Sequence, residues 1–419
     1  MGRITRRDLG VGTVGSLAGL LTLRQASVAA ADQRRAGPHP GAHAGGRART
    51  QVRGMWIATV ANVDWPSAPG RSPADAKAEL RALFDAAAGW RLNTVFFQVR
   101  PTADALWPSR FEPWSQWLTG TQGRDPGWDP LDFAVREAHA RGLRLHAWFN
   151  PYRISLQDDP ELLAQGHPAR RHPEWVVPYG GKLYYNPGIP EVRAFVQDAM
   201  ADAVARYEID GVHWDDYFYP YPVAGQEFDD AAAFAEWGGE FADRAAWRRN
   251  NVDLLVREMA GRVRGERPGI PFGISPFAVW RNRATDPLGS DTRAGVQTYD
   301  DLYADTRKWV RRGWIDYVLP QVYWNIGFEA ADYAELVRWW SDVARGTGVE
   351  VYIGEAMYKV GDPAQPEAWQ DPAELSRHLT LCAGYPEVRG NVFYSATQVV
   401  ADPLGAMSRV YEDHYRRGA

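Results

Sequence analysis

Past residue 50, short apolar runs alternate with longer stretches of helical spacing. The first run is Val52 to Val60 (VRGMWIATV), followed by a helix opened by Ser72-Pro73 and running to about Gly89. The second is Asn93 to Val99 (NTVFFQV), and the third, Leu143 to Asn150 (LRLHAWFN), follows a helix begun near Asp129-Pro130. A helix over Glu191 to Tyr207 leads to the fourth run, Gly211 to Tyr217 (GVHWDDY). A long helix centred on Asn250 to Arg264 leads to the fifth, Phe272 to Val279. Tyr317 to Trp324, Val349 to Gly354 and Asn391 to Ser395 are the sixth to eighth, with a closing helix from Pro403 to Tyr415. β-rich runs alternating with amphipathic helices describe a parallel sheet wrapped in helices. Eight such units predict an α/β fold, a (β/α)8 TIM barrel, because doubly wound sheets usually stop at about five to seven strands. The long loops after runs two to five fall at the carboxyl ends of the strands, where a barrel builds its cleft.

A strand buried on both faces should be continuously apolar. The fourth run breaks that rule at its carboxyl end with His213, Asp215 and Asp216. Period-two alternation puts His213, Asp215 and Tyr217 on one side and Asp216 at the rim. Adjacent carboxylates repel, so one of them can hold a proton near neutral pH and act as a general acid. Other strand ends carry Gln98 and Arg100, then Asn150 with nearby Arg153, then Gln321 and Tyr323, and finally Glu355. Strands four and seven face each other across an eight-membered ring. Glu355 is therefore the expected partner of Asp215 or Asp216 in a two-carboxylate hydrolysis, with the other polar groups binding substrate. The other reading of Glu355 is a structural pair with Lys359 or Arg153. A divalent ion held by His146, His213, Asp215 and Asp216 is the rival chemistry. The first strand has no His-x-His pair, and the reading carried forward uses no metal and no cofactor.

Nineteen Trp in 419 residues is a large excess. The second loop carries Trp107, Trp114, Trp117 and Trp128, and the third carries Tyr152, Trp175, Tyr179, Tyr184 and Tyr185. Indole faces suit sugar rings, so Trp114, Trp117 and Trp175 are candidate sugar platforms; the competing reading is aromatic packing within long loops. A net charge of −5 without a basic stripe excludes a nucleic-acid footprint. The single cysteine, Cys382, lies on a helical face and excludes an intramolecular disulfide. Arg6-Arg7, a weakly apolar Val11-to-Leu23 stretch and Val28-Ala29-Ala30-Ala31 describe a Tat-type signal over 1–31. A Gly/Ala/Arg/Pro linker over 32–50 and a barrel over 51–419 complete the expected organisation. An exported, cell-wall-associated protein without stable membrane insertion after processing follows from that reading. The sequence leaves the oligomeric state open.

The runs RGMWIATVANVDWPS, RPTADALWPSRFEPWSQWLTG, LHAWFNPYR and DGVHWDDYFYP together resemble the family 10-like glycosyl hydrolases of the DigH and YngK type. The resemblance spans roughly residues 50 to 415. It implies a TIM barrel, export, and hydrolysis of a β-linked amino-sugar glycan of the cell envelope, foremost peptidoglycan strands lacking stem peptides. It also places the catalytic acids at Asp215 and Asp216. A partial likeness to the fourth strand of family 18 chitinases covers Asp210-Gly211 and Asp215, but the terminal Glu of that signature is absent. The polysaccharide substrate has two alternatives: another extracellular polysaccharide, or a non-catalytic glycan-binding barrel. Two crowded acids argue against the last, because a lectin site gains little from them.

Overall fold

Eight parallel strands close in the order β1-β10-β9-β8-β7-β6-β3-β2, where β1 is Val52–Ile57, β2 Thr94–Arg100, β3 Arg144–Phe149 and β6 Gly211–Trp214. Completing the ring, β7 is Phe272–Ile274, β8 Tyr317–Val318, β9 Glu350–Glu355 and β10 Val388–Phe393. The chain is therefore a (β/α)8 TIM barrel. The computed structural model describes residues 51–416. The proposed signal and linker lie outside the described residues. No helix among the described residues is long and apolar enough to cross a membrane.

Local signals set the helix starts. Ser72 and Asp129 each accept a backbone N–H three residues ahead, and a proline at the first helical position follows each cap. Two strands are shorter than their apolar runs, β7 ending at Ile274 and β8 at Val318. Pro276 and Pro320 follow closely and lack the N–H that a central ladder needs. The third loop also contains an unanticipated antiparallel hairpin, β4 (Val176–Tyr179) with β5 (Lys182–Tyr185). The closing helix is broken into a 3-10 turn at Pro403–Gly405, a helix at Ala406–Val410 and a π-turn at Tyr411–Tyr415.

The barrel interior is filled with rings. Trp56, Phe96, Trp148, Tyr317 and Tyr352 form one inner cluster, while Val95, Val212, Val351 and Ile353 face the helices in the larger cluster. Glycines make room for the rings: a Cβ on Gly211 would lie 2.6 Å from the His146 ring, and one on Gly273 would lie 2.2 Å from Tyr317. Period-two alternation then decides which strand-end residues reach the mouth. Continuing the inward series gives Gln98, Asn150, Asp215, Gln321 and Tyr394; Glu355 continues the outward one.

Candidate functional site

Asp215 stands at the inward end of β6, 4% exposed, and its environment is built to receive charge. Trp148 Nε1 donates to Oδ2 at 3.1 Å, Asn150 Nδ2 lies 3.2 and 3.1 Å from the two oxygens, and the Tyr217 N–H donates to Oδ1 at 3.3 Å. Burial raises the Asp215 carboxyl above its usual range, while the nearby Arg153 charge and these donors pull it back. Asp216, 5% exposed, is held differently. Its Oδ2 accepts the Tyr221 hydroxyl, and burial, reinforced by the Asp215 charge, pushes its carboxyl up to about 6. The Tyr221 hydroxyl and the Gln321 amide oppose that rise. Two adjacent carboxyls in different environments separate into a charge-bearing and a proton-bearing group.

Several predicted binding residues gather around this pair. Asn150 touches Asp215 directly, and its Oδ1 accepts the Arg153 N–H at 3.0 Å. The Arg153 guanidinium lies 4.8 Å from the centre of the Tyr217 ring. Gln321 lies close enough to Asp216 to oppose the rise of its carboxyl and is anchored by its Nε2 donating to the Ser275 carbonyl at 2.9 Å. Tyr323 lies within electrostatic reach of Asp216 and packs on Tyr358 and Tyr394. Lys359 Nζ donates to the Tyr323 carbonyl at 2.6 Å, and burial lowers its ammonium to about 8.

Other predicted site residues lie elsewhere. His213 is fully buried beneath Asp215: its Nε2 accepts from Trp56 Nε1 at 3.2 Å and lies 3.0 Å from Ser275 Oγ, while Nδ1 meets the Tyr317 hydroxyl at 3.1 Å. His146 turns to the same hydroxyl at 3.0 Å, and burial drives its pKa to about 3 and that of His213 well below the usual value. Both imidazoles are interior rings of the barrel. They neither contact substrate space nor turn toward the two aspartates as ligands. Gln98 is consumed by the first loop, its Oε1 accepting the Thr59 and Val60 N–H groups at 3.0 and 2.9 Å. Arg100 pairs with Glu112, both oxygens engaged and both side chains fully buried. Its Nη1 also donates to the Asn150 and Pro151 carbonyls, so it braces the loop that aims Asn150.

Glu355 corrects the expected carboxylate pair. It is fully buried and faces the helices, where it accepts from the Tyr333 hydroxyl at 2.7 Å and Asn391 Nδ2 at 2.8 Å and pairs with His378 Nδ1 at 2.8 Å. Facing strand ends are not sufficient for a pair; strand parity turns this residue away from the cleft.

The Trp candidates are loop-packing groups to differing degrees. Trp117 Nε1 donates to Thr102 Oγ1 at 3.3 Å, and its carbonyl accepts from Asn62. Trp114 lines a surface groove of about 580 Å³ with Arg110, Gln122 and Arg171, and that lining includes neither aspartate. Trp175 stacks on His172 at 4.0 Å and packs on Phe195 of the helix Pro190–Arg206. Trp175→Ala is therefore expected to lower Tm while leaving KM for long and short glycans unchanged; a rise in KM confined to long glycans would restore the platform role.

Sequence reasoning missed Trp148 and Tyr221, the donors to the two carboxyls. Trp148 was legible, since it shares the inward parity of His146 and Asn150 within LHAWFN. Tyr221 carried no such signal, because it reaches Asp216 through an irregular loop.

Comparison with known proteins agrees with this architecture. The glycosyl hydrolase-like 10 family model matches residues 51–371. The chain is 48% identical to glycosyl hydrolase YngK of Bacillus subtilis over 371 residues, covering 88% of this chain and 72% of that protein. It is 42% identical to glycosyl hydrolase DigH of Escherichia coli K12 over 363 residues, covering 82% of each. Among solved structures, the PgaB (BpsB) glycoside hydrolase domain from Bordetella bronchiseptica aligns over 88% of this chain and 99% of its own, with a TM-score of 0.54. At 12% identity that likeness is one of fold alone. The protein is a glycoside hydrolase built on a TIM barrel. It belongs to the glycosyl hydrolase-like 10 family.

Proposed function

We propose that the chain hydrolyses a β-linked amino-sugar glycan of the cell envelope, foremost peptidoglycan strands lacking stem peptides, with Asp215 and Asp216 as its catalytic pair. The observation that carries this reading is the difference between the two carboxyls. Asp215 sits among donors that suit a negative charge, and Asp216 holds a proton up to about pH 6.

Glu355 faces away, so it does not supply the opposed nucleophile of a two-carboxylate mechanism. An acetamido sugar supplies that nucleophile itself. Its carbonyl oxygen attacks the anomeric carbon as the glycosidic C–O bond breaks. Asp216 gives its proton to the leaving oxygen, and Asp215 accepts the acetamido N–H and stabilises the charge that develops there. Water then opens the cyclic oxazolinium, losing its proton to Asp216, and the anomeric configuration is retained. Export by the Tat route and association with the cell wall belong to the same proposal, motivated by Arg6-Arg7 and the stretch that follows.

Incubation with denuded peptidoglycan, chitin oligomers and a neutral β-glucan, followed by mass spectrometry, tests the substrate class. Cleavage of the amino-sugar polymers alone is expected. Turnover of the plain β-glucan at a comparable rate would remove the acetamido group from the mechanism, and turnover of none would favour a glycan-binding barrel.

A further inference from the structure

Arg100, Arg153 and Arg248 are the buried arginines among the described residues. Two of them have carboxylate partners: Arg100 pairs with Glu112 at 2.5 Å and Arg248 with Asp230 at 2.6 Å. Arg153, only 3% exposed, makes no ion pair within 4 Å among the described residues. Its Nε and Nη2 donate to one neutral acceptor, the Pro101 carbonyl, at 3.3 and 3.0 Å, and its face covers the Tyr217 ring. None of its hydrogen bonds among the described residues uses Nη1. A buried cation without a partnered anion is costly unless something supplies that anion. Asp215 compensates part of this charge from a distance, since Arg153 is the main charge pulling its carboxyl down. Lys359, whose Nζ donates to the Tyr323 carbonyl, adds a second basic group near the same pair.

The order of these groups matches the order of substituents on one sugar. Asp216 serves the glycosidic oxygen on C1, and Asp215 serves the acetamido nitrogen on C2. Arg153 neighbours Asp215. In a 3-O-lactyl amino sugar, a carboxylate hangs from the oxygen on C3, next to the acetamido carbon and one atom further from the scissile bond. We propose that Arg153 binds this lactyl carboxylate, so that the lactyl-bearing sugar occupies the subsite served by Asp215 and the bond cut is the one at its own anomeric carbon. This inference rests on the amino-sugar reading above and adds to it which of the two alternating linkages is cleaved. A guanidinium suits the task because its planar fork meets a carboxylate with two parallel donors.

The test uses the full chain on three substrates: native denuded strands, the same strands with their lactyl carboxylates converted to methylamides, and chitin oligomers. Borohydride reduction and mass spectrometry are expected to find the lactyl sugar at every new reducing end. Neutralising the carboxylates should lower kcat/KM at least about tenfold, the scale of one lost charge-assisted contact. Arg153→Gln should lower turnover of all three substrates through the lost counter-charge for Asp215, and should lose about tenfold more on native strands than on neutralised strands or chitin oligomers. New reducing ends on the sugar without a lactyl group would overturn the proposal and leave the amino-sugar reading intact. So would an Arg153→Gln loss that is equal on all three substrates, because a mere counter-charge for Asp215 acts on each alike. Cleavage of chitin oligomers but not of denuded strands would overturn the peptidoglycan assignment and this inference together. The wild-type measurements decide the matter even where the variant folds poorly.

Discussion

Asp216→Asn is expected to lower kcat at least about a hundredfold, the usual scale of losing a positioned general acid. The amide preserves shape and still accepts the Tyr221 hydroxyl, so the loss belongs to the missing proton. Two pH measurements separate this from a general disturbance. In the wild type, activity should fall as pH rises past about 6, where the acid gives up its proton, and the residual activity of the variant should lack that limb. Stability should move the other way. The folded-state pKa of Asp216 lies above the ordinary 3.8, so the folded protein binds this proton more tightly than the unfolded chain does. That contribution is complete below about 3.8 and is lost as pH rises through about 6. The Asn variant has no such loss, so at neutral pH it should melt above the wild type, with the gap closing in acid. Near-normal turnover, or a variant less stable than wild type at pH 7, would remove Asp216 from the acid role. Asp215→Asn should bring a similar kcat loss through a different route, because an amide cannot stabilise the charge on the acetamido group as a carboxylate does.

The barrel was legible because its signals are local and repeated. Capped helices at Ser72-Pro73 and Asp129-Pro130 and apolar runs between them need no long-range information. The fourth strand announced itself because Asp215 and Asp216 break an apolar run. What remained hidden depended on facing and depth. His213 and Asp215 share parity, yet one lies a full layer below the other, in a barrel whose interior is packed with rings against Gly211 and Gly273. Gln98 has the right parity and level, but the first loop folds over it and takes its carbonyl. Glu355 shows the limit most plainly. Counting from Tyr352, which faces inward, parity alone turns it toward the helices, but the sequence does not state which of Tyr352 and Ile353 lies inside.

That placement gives Glu355 a different expected phenotype from a catalytic carboxylate. It accepts bonds from Tyr333, Asn391 and His378, and His378 in turn reaches Glu374 at 3.2 Å. Burial opposes a charge on His378, but Glu355 and Glu374 outweigh it and hold its pKa above 6.5. Glu355→Ala strips this buried cation of one partner and leaves the Tyr333 hydroxyl and Asn391 Nδ2 only the weak Cys382 sulfur as acceptor. Breaking a buried pair in this way costs about 3–5 kcal/mol, so a fall in Tm of several degrees is expected. The sign of the pH dependence follows from the raised pKa: the pairing contributes fully below about 6.5 and fades as pH climbs through the folded-state value. The difference in Tm between wild type and variant should therefore narrow in alkaline buffer. Glu355→Gln keeps the volume and an acceptor while losing the charge, and well below its Tm it should turn over substrate within a factor of a few of wild type. A hundredfold loss of kcat in Glu355→Gln with unchanged Tm would return this residue to the chemistry, and with it an opposed-carboxylate mechanism in place of one that uses the acetamido group of the sugar.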